Sequence, residues 1–289
     1  MRESLLFTKM QGIGNDFVVV DARGTSGIDW SALSIELCDR HIGIGADGLL
    51  VLDTTQLADI MMWMYNPDGT PDVCGNGLRC LARYAIDRKI VTGDTLRIAT
   101  LGGVRNATAV RAGDSGPILA ITVDMGTPRF DPPAVPIRLS SPEVFDYPLN
   151  LGHGKSLSIT ALSTGSTHAV TFVNQLPDDV DFFSISPLVE KHPLFPERTS
   201  LMWCKVENPL RISLRVWERG AGETLGCGTG ACAAAVAAVR HNLVTAGVPV
   251  SVASNGGELQ VTWAPANEII MTGPAEYVFD GAYNLAEAR

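Results

Sequence analysis

The sequence predicts an α/β protein with two similar, strand-rich lobes related by a pseudo-twofold axis. Two observations predict this fold. Strand-like runs outnumber helical patterns, and a Cys-Gly-x-Gly motif occurs twice, at Cys74 and Cys227, 153 residues apart. The strand-like segments ending at Asn66 and Glu218 are 152 residues apart, and the helical segments ending at His41 and His192 are 151 apart. A nearly constant offset implies a duplicated unit.

The individual elements follow from residue type and period. Runs such as "DFVVVD", "GLLVLD", "DIMMWMY" and "LAITVDM" in the first half, and "AVTFV" and "RISLRVW" in the second, have the β-branched and aromatic bias of strands. The segments "WSALSIELCDRH" and "SPLVEKH" are predicted helices at matching places in the two halves. A proline-rich stretch from Pro128 to Pro148 is typical of a crossover between domains.

Each cysteine motif leads into a predicted helix. The segment "GTGACAAAVAAV" after Cys227 is apolar on every face, so this helix is expected to be buried at the centre of its lobe. Its counterpart "LRCLARYAIDRKI" is amphipathic, and Arg79, Arg83 and Arg88 are expected to reach solvent. Its apolar face is formed by Leu78, Leu81, Ala82, Ala85 and Ile86.

Composition restricts the class of function. The 289 residues are 46% apolar and 18% charged, which is enough for a large core and two domains. A net charge of -9 and scattered basic residues argue against nucleic-acid binding. No segment suggests a signal peptide or a membrane span, so a cytoplasmic enzyme is expected. The six cysteines have no zinc-like spacing, so no metal is expected.

The position of the two cysteines predicts their chemistry. The first turn of a helix has backbone N–H groups without partners and attracts anions, which would favour a thiolate and hold a substrate carboxylate. The glycines at positions 75, 77, 228 and 230 would adopt positive φ and let a ligand approach. Two thiols on opposite faces of one α-carbon could invert it, one removing a proton and the other delivering one.

Other classes of protein remain as alternatives. A pyridoxal-dependent racemase would need one of only five lysines for the cofactor, and none lies in a recognisable cofactor motif. A non-catalytic thiol protein, either a redox sensor or an amino acid binding module, could use the same paired cysteines. The segment "GIGADG" at positions 43–48 has the G-x-G-x-x-G pattern, but it follows a helix and precedes a strand, so a tight turn is expected instead of a nucleotide site.

Five motifs in order give the chain a strong resemblance to the diaminopimelate epimerase family over nearly its whole length. They are "KMQGIGNDFVVVD", "DRHIGIGADGLLVL", "NPDGTPDVCGNGLRC", "HPLFPER" and "ERGAGETLGCGTGACA". The resemblance implies interconversion of LL- and meso-diaminopimelate, a step toward lysine and peptidoglycan, without pyridoxal phosphate or any other cofactor. It also implies a homodimer.

The family fold implied is two lobes, each a mostly antiparallel sheet wrapped around a central helix. The N-terminal lobe would cover residues 1–126, with the C-terminal tail 275–289 returning to it, and the C-terminal lobe would cover residues 127–274.

The resemblance also implies roles for individual residues. Cys74 and Cys227 match the acid/base pair, and Glu218 and Arg219 match the charged pair for the distal ammonium and carboxylate. His168 matches a pocket histidine. The turns that bind the reacting carboxylate are matched by Gly75, Asn76, Gly228 and Thr229. The amides that line the substrate pocket are matched by Asn15 and Asn66.

Two positions depart from the family pattern. Ser166, in "GSTH", and Ser200, after "PERT", stand where the family usually has asparagine, and both remain candidate substrate contacts. Shorter hydroxyl side chains leave room or unmet hydrogen bonds around the distal group of the substrate. A cofactor-independent racemase of another amino acid, such as histidine, is therefore the second expectation.

Overall fold

The computed structural model describes residues 4–141, 143–152 and 154–285. It confirms the predicted fold class, a mixed α/β protein built mostly of strands. The chain forms two compact units. The first runs to Val123 and includes the chain again from Gly273, and the second is Asp124–Thr272.

The first unit contains two helices and a mixed sheet. Its elements are β1 (Ser4–Gly12), β2 (Asn15–Asp21), α1 (Trp30–Cys38), β3 (Gly48–Asp53), β4 (Ile60–Tyr65), β5 (Pro71–Asp72), α2 (Gly75–Asp87), β6 (Thr95–Thr100), β7 (Gly103–Arg111) and β8 (Ile118–Asp124), whose last residue begins the second unit.

The second unit repeats this order after one additional strand, β9 (Val144–Gly152). Its further elements are β10 (Lys155–Ser163), β11 (Thr167–Phe172), α3 (Asp179–Glu190), β12 (Ser200–Asn208), β13 (Arg211–Glu218), β14 (Gly222–Thr224), α4 (Gly228–Arg240), β15 (Val250–Ser254), β16 (Gly257–Thr262) and β17 (Ile270–Gly273). The last strand of the described chain, β18 (Glu276–Asn284), returns to the first unit.

Strand pairing is the same in both units. In the first, β2 pairs with β3 in parallel and β4 with β6 in parallel, and the other pairs within the unit are antiparallel. In the second, β11 with β12 and β13 with β15 are the corresponding parallel pairs. Strand β18 runs antiparallel beside β1, as β9 does beside β10. The duplication predicted from the offsets is therefore visible in the pairing.

Each unit is organised around the helix that follows its cysteine motif. Helix α4 contacts β10, β11, β12, β13, β15 and β16, and its residues 230–239 are all buried. Helix α2 contacts β1, β2, β3, β4 and β7. The small alanines of α4 let the curved sheet approach closely, because each adds little volume beyond the backbone. Among the described helices, none is long and apolar enough to cross a membrane.

One local expectation was wrong. Arg79 is completely buried instead of solvent-exposed, since its guanidinium donates to backbone and side-chain oxygens inside the first unit. The proline-rich stretch is irregular only in part. Its end, from Val144 to Pro148, belongs to β9. In the described part of the chain β9 pairs in register with β10 only, and proline is tolerated on such an edge strand.

Candidate active site

Cys74 lies where the sequence places it, at the start of α2. It is the N-cap residue, in an extended conformation, and its Sγ accepts a hydrogen bond from the backbone N–H of Gly77 at 3.4 Å. The half-buried thiol also donates to Asn15 Oδ1 at 3.6 Å. Gly75 and Asn76 are the first two residues of the helix. The N-terminal turn therefore holds the sulfur in place, and the N–H groups of the first helical turn beside it have no intrahelical backbone acceptor.

Cys227 has the same position in the second unit. It is the N-cap residue of α4, and its Sγ accepts from the Gly230 N–H at 3.4 Å. Thr229 contributes its hydroxyl, 3.4 Å from the sulfur, and its backbone carbonyl accepts from Thr164 Oγ1 at 2.9 Å. Gly228 and Thr229 begin the helix. The two motifs thus build equivalent thiol sites from unrelated neighbours.

The pKa of the Cys227 thiol is well above its ordinary value. Burial is the main cause, and the nearby negative charge of Glu218 raises the pKa further. Hydrogen bonds from Thr229 and from the Gly230 N–H act in the opposite direction but are outweighed. The expectation that the helix N-terminus favours a thiolate was therefore wrong for Cys227 in the unliganded protein, because desolvation dominates.

Gly77 and Gly230 act by size and not by conformation. None of the four glycines at positions 75, 77, 228 and 230 has a positive φ, contrary to expectation. A Cβ on Gly77 would lie 2.8 Å from Leu50 Cδ2, and one on Gly230 would lie 2.5 Å from Met202 Sδ. Leu50 and Met202 belong to equivalent strands, β3 and β12. Each glycine lets its helix entry lie directly against the sheet.

Asn15 links Cys74 to a larger polar network. Its Oδ1 accepts from Asn76 Nδ2 at 3.3 Å, and its Nδ2 donates to Asp47 Oδ2 at 2.7 Å. Asn76 Oδ1 in turn accepts from Arg79 Nη2 at 2.9 Å. The structure therefore brings three predicted residues, Asn15, Cys74 and Asn76, into direct contact.

Asn66 lies in the turn between β4 and β5, where its Nδ2 contacts Thr70 Oγ1 at 3.1 Å and Asp72 Oδ2 at 3.3 Å. Its backbone carbonyl accepts from Ser34 Oγ at 3.2 Å. These bonds stabilise the turn that leads into Cys74. A contact between Asn66 and the substrate stays a prediction.

His168 is buried in β11 of the second unit. Its Nε2 lies 3.1 Å from Ser166 Oγ, and its Nδ1 is the one buried side-chain nitrogen or oxygen without a hydrogen-bond partner in the described part of the chain. Burial, together with the positive charge of Arg219, lowers the pKa of His168 to about 3. The imidazole is therefore neutral at physiological pH and can accept or donate one bond through Nδ1.

Arg219 and Ser200 lie beside this histidine. Ser200 pairs with His168 across the parallel β11–β12 ladder, and its Oγ accepts from the Arg219 backbone N–H at 3.1 Å. Arg219 Nη1 donates to the Glu197 carbonyl at 3.2 Å. Ser166, His168, Ser200 and Arg219 therefore form one polar cluster within the second unit.

Glu218 contacts the other side of the same turn, where its Oε1 accepts from Thr224 Oγ1 at 2.6 Å. Its charge reaches Cys227, as the raised thiol pKa shows.

Sequence reasoning did not find Glu190, which shapes the turn that carries Glu218 and Arg219. This buried carboxylate accepts from Trp217 Nε1 at 2.7 Å and from the Gly220 N–H at 3.0 Å, and it forms an ion pair with Arg198 at 3.1 Å. Asp47 was also missed. Glu190 directly follows the apolar pair Leu188 and Val189 in the predicted helix, which was a weak signal, whereas Asp47 had none beyond its place in a turn.

The fold is shared with several solved proteins. A PhzF-family phenazine biosynthesis protein from Bacillus anthracis superposes with a TM-score of 0.69 and 18% identity, covering 98% of this chain and 100% of its own. A hydroxyproline epimerase from Agrobacterium vitis superposes with a TM-score of 0.72 and 14% identity, covering 98% of this chain and 92% of its own. The chain thus belongs to the class of α/β proteins that share this fold.

Sequence comparison narrows this class to one family. The family model described as diaminopimelate epimerase matches residues 7–130 and 160–278. A diaminopimelate epimerase from Pelotomaculum thermopropionicum is 42% identical over 280 residues, 96% of this chain and 98% of its own. One from Cyanothece sp. is 42% identical over 287 residues, with coverage of 96% and 99%. The chain belongs to the diaminopimelate epimerase family, as the resemblance of its motifs predicted.

Proposed function

We propose that this isomerase interconverts LL- and meso-diaminopimelate, with Cys74 and Cys227 as its acid/base pair. The observation that carries the proposal is the equivalence of the two thiols: each is the N-cap of the helix at the centre of its unit and accepts from the N–H three residues on. This member of the diaminopimelate epimerase family therefore has two equivalent thiols for a reaction that needs one base and one acid.

The proposed chemistry is a transfer of one proton to each side of a carbon. One cysteine, as thiolate, takes the α-proton, so an S–H bond forms and the C–H bond breaks. The electron pair passes into the substrate carboxylate as an enolate-like charge. The other cysteine, as thiol, gives its proton to the opposite face and is left as thiolate. The reverse reaction exchanges the roles, and no electron acceptor is needed.

The helix entries supply the stabilisation of that charge. The N–H groups of Gly75, Asn76, Gly228 and Thr229 lie in first turns, where no intrahelical partner exists and the helix dipole is positive. Such groups are suited to the reacting carboxylate, whose negative charge grows as the proton leaves. The raised pKa of Cys227 favours its thiol form, the form in which it donates a proton.

The distal end of the substrate is assigned to the polar cluster of the second unit. In this proposal Arg219 takes the distal carboxylate and Glu218 the ammonium, with Ser166, His168 and Ser200 around them and Asn66 as a further contact from the first unit. The hydrogen bond from the Arg219 backbone to Ser200 and the place of His168 beside Ser200 support a common subsite. The neutral imidazole of His168 also supports a histidine racemase as the second candidate, since hydroxyls replace amides beside it.

An α-proton exchange assay tests both the reaction and the substrate. The protein is incubated in deuterated buffer without pyridoxal phosphate, together with diaminopimelate, lysine, histidine or glutamate. We expect deuterium to enter diaminopimelate at the α-position. Exchange into histidine alone would replace the proposed substrate with the second candidate.

Substitution of the cysteines tests the mechanism. We expect Cys74→Ala and Cys227→Ala each to lower turnover by about 10³-fold or more, because each removes an acid/base group. Cys80→Ala and Cys232→Ala are matched controls, as both are buried cysteines on the same two helices. They should leave turnover within a few-fold of the parent. Full activity in either of the first two variants would refute the two-thiol mechanism.

The proposal extends to a homodimer in the cytoplasm. The exposed apolar side chains Leu6, Val278 and Phe279 on the paired strands β1 and β18 are the kind of surface that a second subunit covers. Sedimentation of the purified protein should then give twice the chain mass of 30.8 kDa, and a monomer at micromolar concentration would contradict this part.

A further inference from the structure

A hydrogen-bonded chain of four polar side chains passes beside Cys74. Asp47 Oδ2 accepts from Asn15 Nδ2 at 2.7 Å, Asn15 Oδ1 accepts from Asn76 Nδ2 at 3.3 Å, and Asn76 Oδ1 accepts from Arg79 Nη2 at 2.9 Å. The Cys74 thiol donates to the same Asn15 Oδ1 at 3.6 Å. All of these groups belong to the first unit.

The chemistry of the two ends fixes the direction of every bond between them. An ionised carboxylate can only accept hydrogen bonds, and a guanidinium can only donate them. An amide can do either, depending on which way it is turned. With Asp47 at one end and Arg79 at the other, both amides have a single orientation that satisfies the whole chain. Asn15 then points its oxygen, and not its NH₂ group, at the sulfur.

We propose that Asp47 and Arg79 are positioning residues that keep Asn15 Oδ1 directed at Cys74 and so hold Cys74 as a hydrogen-bonded thiol until substrate binds. A carbonyl oxygen next to the sulfur stabilises S–H and disfavours S⁻, whereas an amide N–H in its place would stabilise the thiolate. This inference rests on the proposed role of Cys74 as an acid/base group.

Asp47 is itself held firmly in place. Its Oδ1 accepts from Arg40 Nη2 at 2.7 Å, and its Oδ2 accepts from the Asp16 backbone N–H at 3.0 Å. Asp16 forms ion pairs with the buried Lys9 at 2.6 Å and with Arg40 at 2.7 Å. Although burial opposes its ionisation, hydrogen bonds from Arg40 and Lys9 lower the pKa of Asp16 to about 2. The acceptor end of the chain is thus part of an ionic cluster formed by Lys9, Asp16, Arg40 and Asp47.

The other end is rigid for a different reason. Arg79 is completely buried, and besides Asn76 its guanidinium donates to the carbonyls of Pro274 at 3.2 Å and Gly75 at 3.3 Å. A Cβ on Gly12 would lie only 3.1 Å from Arg79 Nη2, so the guanidinium has little room to move. A buried charge with three such acceptors is costly to displace.

The test is the pKa of the Cys74 thiol, measured without turnover. Iodoacetamide alkylation of the full-length protein is followed across pH by mass spectrometry of the peptide that contains residue 74. In Asp47→Asn the new side chain can accept from Asn15 or donate to it, so only Arg79, acting through Asn76, still opposes an Asn15 amide that turns its NH₂ group to the sulfur. We expect the pKa of Cys74 to fall by about one unit or more, which raises alkylation below that pKa by about 10-fold.

Asp16→Asn is the matched control, because it removes a negative charge from the same cluster but leaves the acceptor of Asn15 unchanged. Asp47→Glu keeps an acceptor-only group and should retain the parent pKa. If Asp47→Asn and Asp16→Asn shift the pKa of Cys74 equally, Asp47 acts only through its charge and the proposal is wrong. Because alkylation needs no substrate, this result is independent of whether the protein epimerises diaminopimelate.

A measurement on the unaltered protein applies even where Asp47→Asn does not fold. The proposal requires one of the two Asn15 side-chain NH₂ resonances in a ¹⁵N-correlated spectrum to be protected from solvent exchange and shifted by its hydrogen bond to the Asp47 carboxylate. Two Asn15 resonances with the shifts and exchange rates of a fully solvated amide would overturn the proposal.

Discussion

At Cys227, two physical effects act on one thiol in opposite directions. The Gly230 N–H and the Thr229 hydroxyl stabilise a thiolate, while burial and the carboxylate of Glu218 stabilise the thiol, and the second pair dominates. A sequence shows the helix N-terminus but not the depth of the sulfur, so the direction of this pKa shift could not be predicted from it. Substrate binding must change this balance for Cys227 to serve as a base.

His168 gives the stability of the protein a distinctive pH dependence. Its pKa is about 3 in the folded protein against an ordinary value of 6.5, so the unfolded chain binds one more proton between these values. His168 therefore lowers the free energy of unfolding only below about pH 6.5. Down to its folded-state pKa, the loss from this residue is about 1.4 kcal/mol for each pH unit. Urea unfolding of the parent and of His168→Gln at several pH values should show a shallower decline in the variant. Equal slopes would contradict the assigned shift.

Residues differ in how far sequence can place them. The N-cap positions of Cys74 and Cys227 were predictable, because a glycine-rich turn before a helical pattern is local information. The contact between Asn15 and Asp47 spans 32 residues of sequence and depends on the parallel register of β2 and β3, in which Phe17 lies opposite Gly48. Arg79 was expected at the surface because a helical period shows which face is apolar, not which oxygens lie opposite an arginine.

At the scale of elements, each central helix lies unusually close to a strand through one glycine. Gly77 of α2 meets Leu50 of β3, and Gly230 of α4 meets Met202 of β12. Gly77 and Gly230 are 153 residues apart in sequence, and Leu50 and Met202 are 152 residues apart. The contact is therefore part of the repeated plan. Close approach of helix and sheet places the thiol at the rim of the sheet, where the helix begins.

Gly77→Ala tests this contact. Alanine favours helix, but its Cβ would lie 2.8 Å from Leu50 Cδ2 and must displace it. We expect a net loss of about 1–2 kcal/mol in the free energy of unfolding, measured by chemical denaturation. In a double-mutant cycle, Leu50→Ala should remove most of the added penalty, because it creates space for the new methyl group. Strictly additive effects of the two substitutions would show that the contact is not what limits residue 77.

At the scale of the whole molecule, the same sequence of elements is used twice, and the last strand belongs to the first unit. The near-constant offsets made the repeat predictable. The role of β18 was implied by the family resemblance alone, because "EYVFDGAYN" by itself shows a strand without its partner. In the structure it pairs with β1 from Ser4 to Gln11.

The two units should therefore respond differently to truncation. A fragment covering Asp124–Thr272 keeps β9 to β16 with the pairings among them and a buried core around Phe182 and Trp203, so we expect a cooperative unfolding transition by circular dichroism. The fragment ending at Val123 lacks β18 and the Pro274 carbonyl that accepts from Arg79, and we expect it not to fold. Adding a peptide of residues 273–289 in trans is the control. A stable fold of the shorter fragment without the peptide would contradict this reading.

The return of β18 has a consequence for biosynthesis. A ribosome releases Asp124–Thr272 completely before it releases the strand that finishes the earlier-made part, so the portion translated first is the last to be completed. Until then, Arg79 lacks its Pro274 acceptor and the edge of β1 has no neighbour. The second unit can thus be completed before the first, and Cys74 acquires its final surroundings only after β18 has been made.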